Sequence, residues 1–201
     1  MSGTEATESL RIAATAYRSA LQVYTREPLS AGLGEQKAQD NLGTALGALG
    51  EQLSGVEATA SLRAAVTAHK NALQVRTKES FPQAWATTQT NLGTAYARLG
   101  ERLSGAEAME SLLAAVTAFQ NALQVLTEES LPQAWAATQS NLGATYRNLG
   151  ERLSGTEATE SLLAAVTAFQ NALRVYTIEN FPHDWARTQY NLAKTNASLP
   201  R

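Results

Sequence analysis

The sequence predicts an all-α fold, an α-solenoid of about eight helices stacked as antiparallel pairs. Three observations predict it. Asn-Leu-Gly recurs at Asn41, Asn91 and Asn141, and Asn191-Leu192-Ala193 keeps the same spacing of 50 residues. Ser-Gly-x-Glu-Ala recurs at Ser54, Ser104 and Ser154, with an early copy at Ser2. Within each period the apolar residues fall three, four or seven apart, the spacing of one helix face. A fixed period of this size marks stacked supersecondary units, each contacting its neighbours, rather than one globular core.

The first element is a lone helix over 4–27. Ser2 and Glu5 have the spacing of a capping box, and Ile12, Ala13, Tyr17, Ala20 and Leu21 form its apolar side. Three helix pairs follow, over about 34–79, 82–129 and 132–179. The middle pair shows the logic. Ser80-Phe81-Pro82-Gln83 opens a helix with an oxygen side chain, an early proline and Gln three residues on. Trp85, Leu92, Tyr96 and Leu99 share one face, and Gly100 and Ser104-Gly105 end the helix. Ser104 and Glu107 then form a capping box for a partner helix carrying Leu112, Ala115, Val116, Phe119, Ala122 and Leu123. Ser130-Leu131-Pro132 and Asn180-Phe181-Pro182 repeat the opening, and the second opens a lone last helix over about 183–198. The first pair is irregular, with two extra residues between Pro28 and Gly34 and Glu35 where Trp85, Trp135 and Trp185 stand later. Each helix is expected to run roughly 17–24 residues, or about 25–35 Å at 1.5 Å per residue.

Composition narrows the function classes. The 201 residues are 44% hydrophobic, much of it alanine, and only 17% charged, with net charge −2. No block of Lys or Arg offers a footprint for nucleic acid or an anionic membrane. No apolar run approaches the roughly 18–20 residues of a membrane span. The start of the chain lacks the basic and apolar regions of a signal peptide, and a cytoplasmic location is expected. Cysteine is absent, which removes disulfides and thiolate metal sites. His69 and His183 stand far apart in the array and form no metal motif. No phosphate loop and no nucleophile–base set can be assembled. The expectation is a protein without enzymatic activity, cofactor or metal.

The residues resemble the tetratricopeptide repeat, whose signature places Leu-Gly-x-x-Tyr on one helix and Ala-x-x-x-Phe on the next. Here Leu92-Gly93 precedes Tyr96, and Ala115 precedes Phe119 and Ala122. The match covers essentially the whole chain. The chain departs from the family in its period, 50 residues against 34, and in Gln89, which takes the usual tryptophan place. Trp85-Ala86, Asn91-Leu92-Gly93 and Leu99-Gly100-Glu101 look like the long-helix bacterial variety.

That resemblance implies a right-handed superhelix, close packing of the paired helices at Gly93, and Phe119 filling the space between layers. It also implies that the first helix of each pair lines a concave face. There Asn41, Asn91, Asn141 and Asn191 form a column of amides, each with a donor and an acceptor for an extended peptide. In the alternative, each Asn bonds a neighbouring helix and orders the stack. Lys37, Asp40, Arg98, Arg147, Arg187, Tyr190 and Lys194 share the inferred face. The bases Arg98, Arg147, Arg187 and Lys194 can hold a carboxylate, or can simply be solvated. The tryptophans are assigned to anchoring the preceding layer, and His69, where other repeats carry Phe, to a partly buried core position.

The expected function is a scaffold that binds a protein or peptide partner. The alternative is a structural subunit. The chain starts and stops out of phase with its repeat, and the first helix keeps an apolar side with no dedicated cap. An uncapped end of this kind makes a heterologous contact that can grow a homo-oligomer or a head-to-tail filament.

Overall fold

The computed structural model describes residues 3–26 and 31–200. Among them are eight helices and no strand: α1 (Gly3–Arg26), α2 (Ala31–Gln52), α3 (Gly55–Val75), α4 (Pro82–Arg102), α5 (Gly105–Ala122), α6 (Pro132–Gly150), α7 (Gly155–Leu173) and α8 (Pro182–Ser198). Part of the irregular 28–34 segment lies outside the described residues.

Every helix packs on its neighbours in sequence, and the hairpins α2–α3, α4–α5 and α6–α7 are the tightest pairs. Across layers, the backbones of α2 and α4, α4 and α6, and α6 and α8 approach closely, whereas α1, α3 and α5 meet through exposed ion pairs, Arg11 with Glu57 at 3.9 Å and Arg63 with Glu107 at 3.2 Å. The stack therefore closes up on the side of α2, α4, α6 and α8 and opens on the other. This is the all-α array of helix pairs that the period predicts.

Local chemistry fixes each hairpin in the same way. The turns into α3, α5 and α7 pass through Gly55, Gly105 and Gly155, with φ of 59°, 62° and 63°. Only glycine takes this left-handed conformation without cost. Ser54, Ser104 and Ser154 hold the N-cap positions in extended backbone, but their hydroxyls make no capping hydrogen bond. The expected capping box is thus not what starts these helices; a positive-φ glycine at the first helical position takes its place.

The openings of α4, α6 and α8 also differ in detail from expectation. The cap positions are Phe81, Leu131 and Phe181, with proline following as predicted. Ser80, Ser130 and Asn180 do not cap. Their backbone N–H groups donate instead to the hydroxyls of Thr77, Thr127 and Thr177, each at 3.2 Å. Nor does Gly100 end its helix. α4 continues to Arg102, and a Cβ at Gly100 would stand 2.7 Å from Leu112. The glycine is there for the close approach of α5.

Gly93 meets the expectation placed on it. A Cβ there would stand 2.7 Å from the ring of Phe119, which is fully buried among Leu112, Ala115, Val116 and Leu142. Trp85 and Trp135 pack around Ala86, Ala122 and Leu126 at the turn between repeats, and Trp135 and Trp185 around Ala136, Ala172 and Tyr176.

α1 follows the residue pattern of α3. Ala13, Tyr17 and Leu21 do pack toward α2. The opposite side carries Glu8, Thr15, Ser19 and Gln22, all exposed. The two extra residues before α2 set α1 and α3 52 residues apart, and the matching positions of α3, Ala60, Thr67, Asn71 and Gln74, are likewise exposed or half-buried. Ile12 is 62% exposed. Leu10, Ala13, Tyr17 and Ala20, half-buried here, match Leu62, Ala65, His69 and Ala72, which are buried in α3, so α1 keeps the pattern of an interior helix.

Candidate functional site

The column of asparagines lies on α2, α4, α6 and α8, the side on which the layers touch. Asn41 is exposed and Asn91, Asn141 and Asn191 are half-buried. The alternative role, tying a neighbouring helix, holds for one of them: Asn191 Oδ1 accepts from Arg147 at 3.0 Å. The side-chain amides of Asn41, Asn91 and Asn141 have no hydrogen-bond partner among the described residues. A half-buried amide with both its donor and acceptor unused is suited to pairing with backbone groups of a passing chain.

The four bases are engaged differently. Arg98 joins layers, its Nε donating to Glu51 on α2 at 2.9 Å and its other arm to Glu101 at 3.1 Å. Partial burial alone would lower the Arg98 pKa, but these two carboxylates outweigh it and raise the value. Asn148 on α6 donates to Glu101 at 2.9 Å, and Arg152 reaches the Gly100 carbonyl at 3.2 Å. Glu151 lies 3.6 Å from Arg147 and 3.8 Å from Lys194 on α8. Arg187 pairs within its own helix with Asp184 at 2.8 Å. Arg98, Arg147 and Lys194 thus form a ladder with the chain's own carboxylates, and neither they nor Arg187 offers a free clamp for an acidic ligand.

Asp40, assigned from the sequence to the concave surface, is instead only 8% exposed. The Nδ1–H of His69 donates to one carboxylate oxygen at 2.9 Å, and Arg76 donates to the other at 2.7 Å. Arg76 also reaches Gln36 at 3.1 Å and Thr88 at 2.7 Å. His69, expected to be partly buried, is 2% exposed. Burial pushes the Asp40 pKa up, but the hydrogen bonds and charges of His69 and Arg76 prevail and hold it below the ordinary value. The other layers solve the same contact with neutral groups. Thr90 meets Thr138 at 3.2 Å, and Ser140 meets Thr188 at 3.4 Å. Between α2 and α4, the hydroxyl pair becomes Asp40 and Thr88 bridged by Arg76.

Sequence reasoning missed this cluster, although a signal was present. Asp40, His69 and Arg76 are departures from Thr/Ser, Phe and Leu/Tyr at the corresponding positions, and all three fall in one repeat. It also missed a cavity of about 200 Å³ between α2 and α4, walled by Gly43, Gly47, Asn91 and Arg98 and floored by Leu62 and His69. Among the described residues no cluster of His, Asp and Glu is arranged to hold a metal ion, and no helix is long and apolar enough to cross a membrane. Comparison with protein-family models and with curated proteins returns no match, so the functional reading rests on this geometry.

Proposed function

We propose that this chain is a tetratricopeptide-like interaction scaffold, a binding module without enzymatic activity, that takes an extended segment of a partner protein along α2, α4, α6 and α8. The observation that carries the reading is the row of amides at Asn41, Asn91 and Asn141, in phase with the repeat and without partners among the described residues. Successive layers present the same donor–acceptor pair, which matches the repeating polar groups of an extended backbone. The cross-layer ladder from Glu51 to Lys194 supports the reading by stiffening that surface, which lowers the entropy lost on binding.

Selection of partner segments from a displayed peptide library tests the proposal. Replacing Asn91 and Asn141 together with Ala is expected to weaken a selected peptide by roughly tenfold, at about 0.5–1.5 kcal/mol per hydrogen bond. Because neither amide bonds the fold, the melting temperature should stay within a few degrees. Unchanged affinity would assign the column to packing. Head-to-tail assembly is the second reading, since half-buried Leu10 and Tyr17 of α1 match Leu62 and His69 of α3, against which the preceding helix packs through Gly50 and Gly43.

A further inference from the structure

The repeats supply a template for what the cavity between α2 and α4 holds. In the last layer, the corresponding place is filled by Arg147. Its guanidinium lies 3.6 Å from Glu151, four residues on, and donates to Asn191 of α8 at 3.0 Å. One hundred residues earlier, the two acceptors recur as Glu51 and Asn91, on either side of the cavity. The arginine does not recur. Its place is Gly47.

Gly47 has no packing reason to be glycine. A Cβ there would meet only Ala65, at 4.0 Å, an ordinary contact. Gly43 and Gly50 on the same helix are different, since added carbons would collide with His69 at 2.6 Å and Leu62 at 2.7 Å. A glycine inside a helix is destabilising relative to alanine. At position 47 that cost leaves the cavity open without serving a close approach.

The charges around the cavity point the same way. Asp40 and Arg76 offset each other, while Glu51 and Glu101 share the single guanidinium of Arg98. Arg102 reaches only the backbone carbonyl of Glu51, at 3.4 Å, so among the described residues Arg98 alone pairs with the two carboxylates. The Asn91 amide oxygen is unused. With Nδ1–H given to Asp40, the ring edge of His69 that carries Nε2 lies along Gly43 on the floor.

We propose that the cavity over Gly47 receives an arginine side chain of the partner segment, its guanidinium held by Glu51 and Asn91 as that of Arg147 is held by Glu151 and Asn191. The cavity thereby anchors the segment at α2–α4. This rests on the scaffold reading only for the chain that delivers the arginine.

The capped amino acid N-acetyl-arginine N-methylamide probes the cavity without any extended segment. Titrated into the isotopically labelled full chain, it is expected to move the Gly47 backbone amide and the Asn91 side-chain amide saturably in NMR spectra. The citrulline counterpart keeps the shape and loses the charge, and should bind about tenfold more weakly. Absence of a saturable shift at Gly47 and Asn91, or equal binding of citrulline, overturns the proposal. Gly47→Arg fills the cavity from within and should abolish the shifts. Gly47→Ala should raise the melting temperature and reduce binding severalfold, and Glu51→Gln should reduce binding while the chain stays folded. Unchanged binding in either of these also overturns it. Failure of the peptide selection with arginine binding intact would remove the extended-segment reading and leave the cavity assigned.

Discussion

Replacing Asp40 with Ala is expected to cost about 3–5 kcal/mol, because it leaves the guanidinium of Arg76 buried without its counter-charge. Arg76 would keep Gln36 and Thr88, but neutral partners do not replace a carboxylate at 2.7 Å. The opposite result is expected when the whole cluster is exchanged for the solution used one layer later. The fourfold variant Gln36→Ala, Asp40→Thr, His69→Phe and Arg76→Leu installs the side chains of Ala86, Thr90, Phe119 and Leu126, all accommodated in the same backbone. Exchange of a buried ion-pair network for well-packed residues is often neutral or stabilising by about 1–4 kcal/mol. Chemical denaturation of both variants checks the pair of outcomes, and a destabilised fourfold variant would show that the charges themselves hold the first layers. Acid adds a second readout. Asp40 has a lowered pKa in the folded chain, so its contribution is fully present above its ordinary value. It is lost as pH falls through the lower folded value. The wild-type chain should lose stability across that acid window by more than the fourfold variant does.

The same cluster shows how far the sequence could be read. The period located every helix, because a stripe of Leu, Ala and aromatic residues at helical spacing must be buried wherever it stands. It placed Gly93 against Phe119 for a similar reason, since small and large residues at fixed positions in paired helices imply a close approach. It did not place Asp40. Position 40 adjoins Asn41, and one residue along a helix turns the side chain by about 100°, from the open face to the contact with the next layer. Thr90 and Ser140 are small and polar, so their positions read equally well as surface or as interlayer hydroxyls. Polarity alone could not distinguish a buried, paired carboxylate from an exposed one. Arg98, Arg147 and Lys194 were found on the right side of the stack, but their partners Glu51, Glu101 and Glu151 sit at helix ends, where pairing across layers depends on three-dimensional stagger. The cavity was legible only as an absence: Gly47 where Arg147 stands two repeats later, beside acceptors that are retained.

Phe119→Ala is expected to be as costly as the loss of Asp40, about 3–5 kcal/mol, through lost burial and the cavity left behind. The ring is fully buried where α4, α5 and α6 meet, so the deletion loosens two interfaces at once. In an array whose stability is approximately a sum of repeat and interface terms, damage at the middle layer separates the two ends. Denaturation of this variant should therefore broaden or split into two transitions, whereas an equivalent loss in the terminal helix α8 should only fray it. Gly93→Ala attacks the same contact from the other side. With the new carbon 2.7 Å from the ring, and neighbours Leu112 and Leu142 already packed, about 1–3 kcal/mol of strain is expected. The two substitutions should not add. Once Phe119 is alanine, the carbon at position 93 enters vacated space, and Gly93→Ala should become neutral or favourable through its better helix propensity. A double-mutant cycle with a coupling of at least about 1 kcal/mol would establish the pair as a unit. Additive losses would instead mean that Gly93 is held by the backbone of α5 rather than by the ring, and the size-matched contact would cease to explain why glycine recurs there.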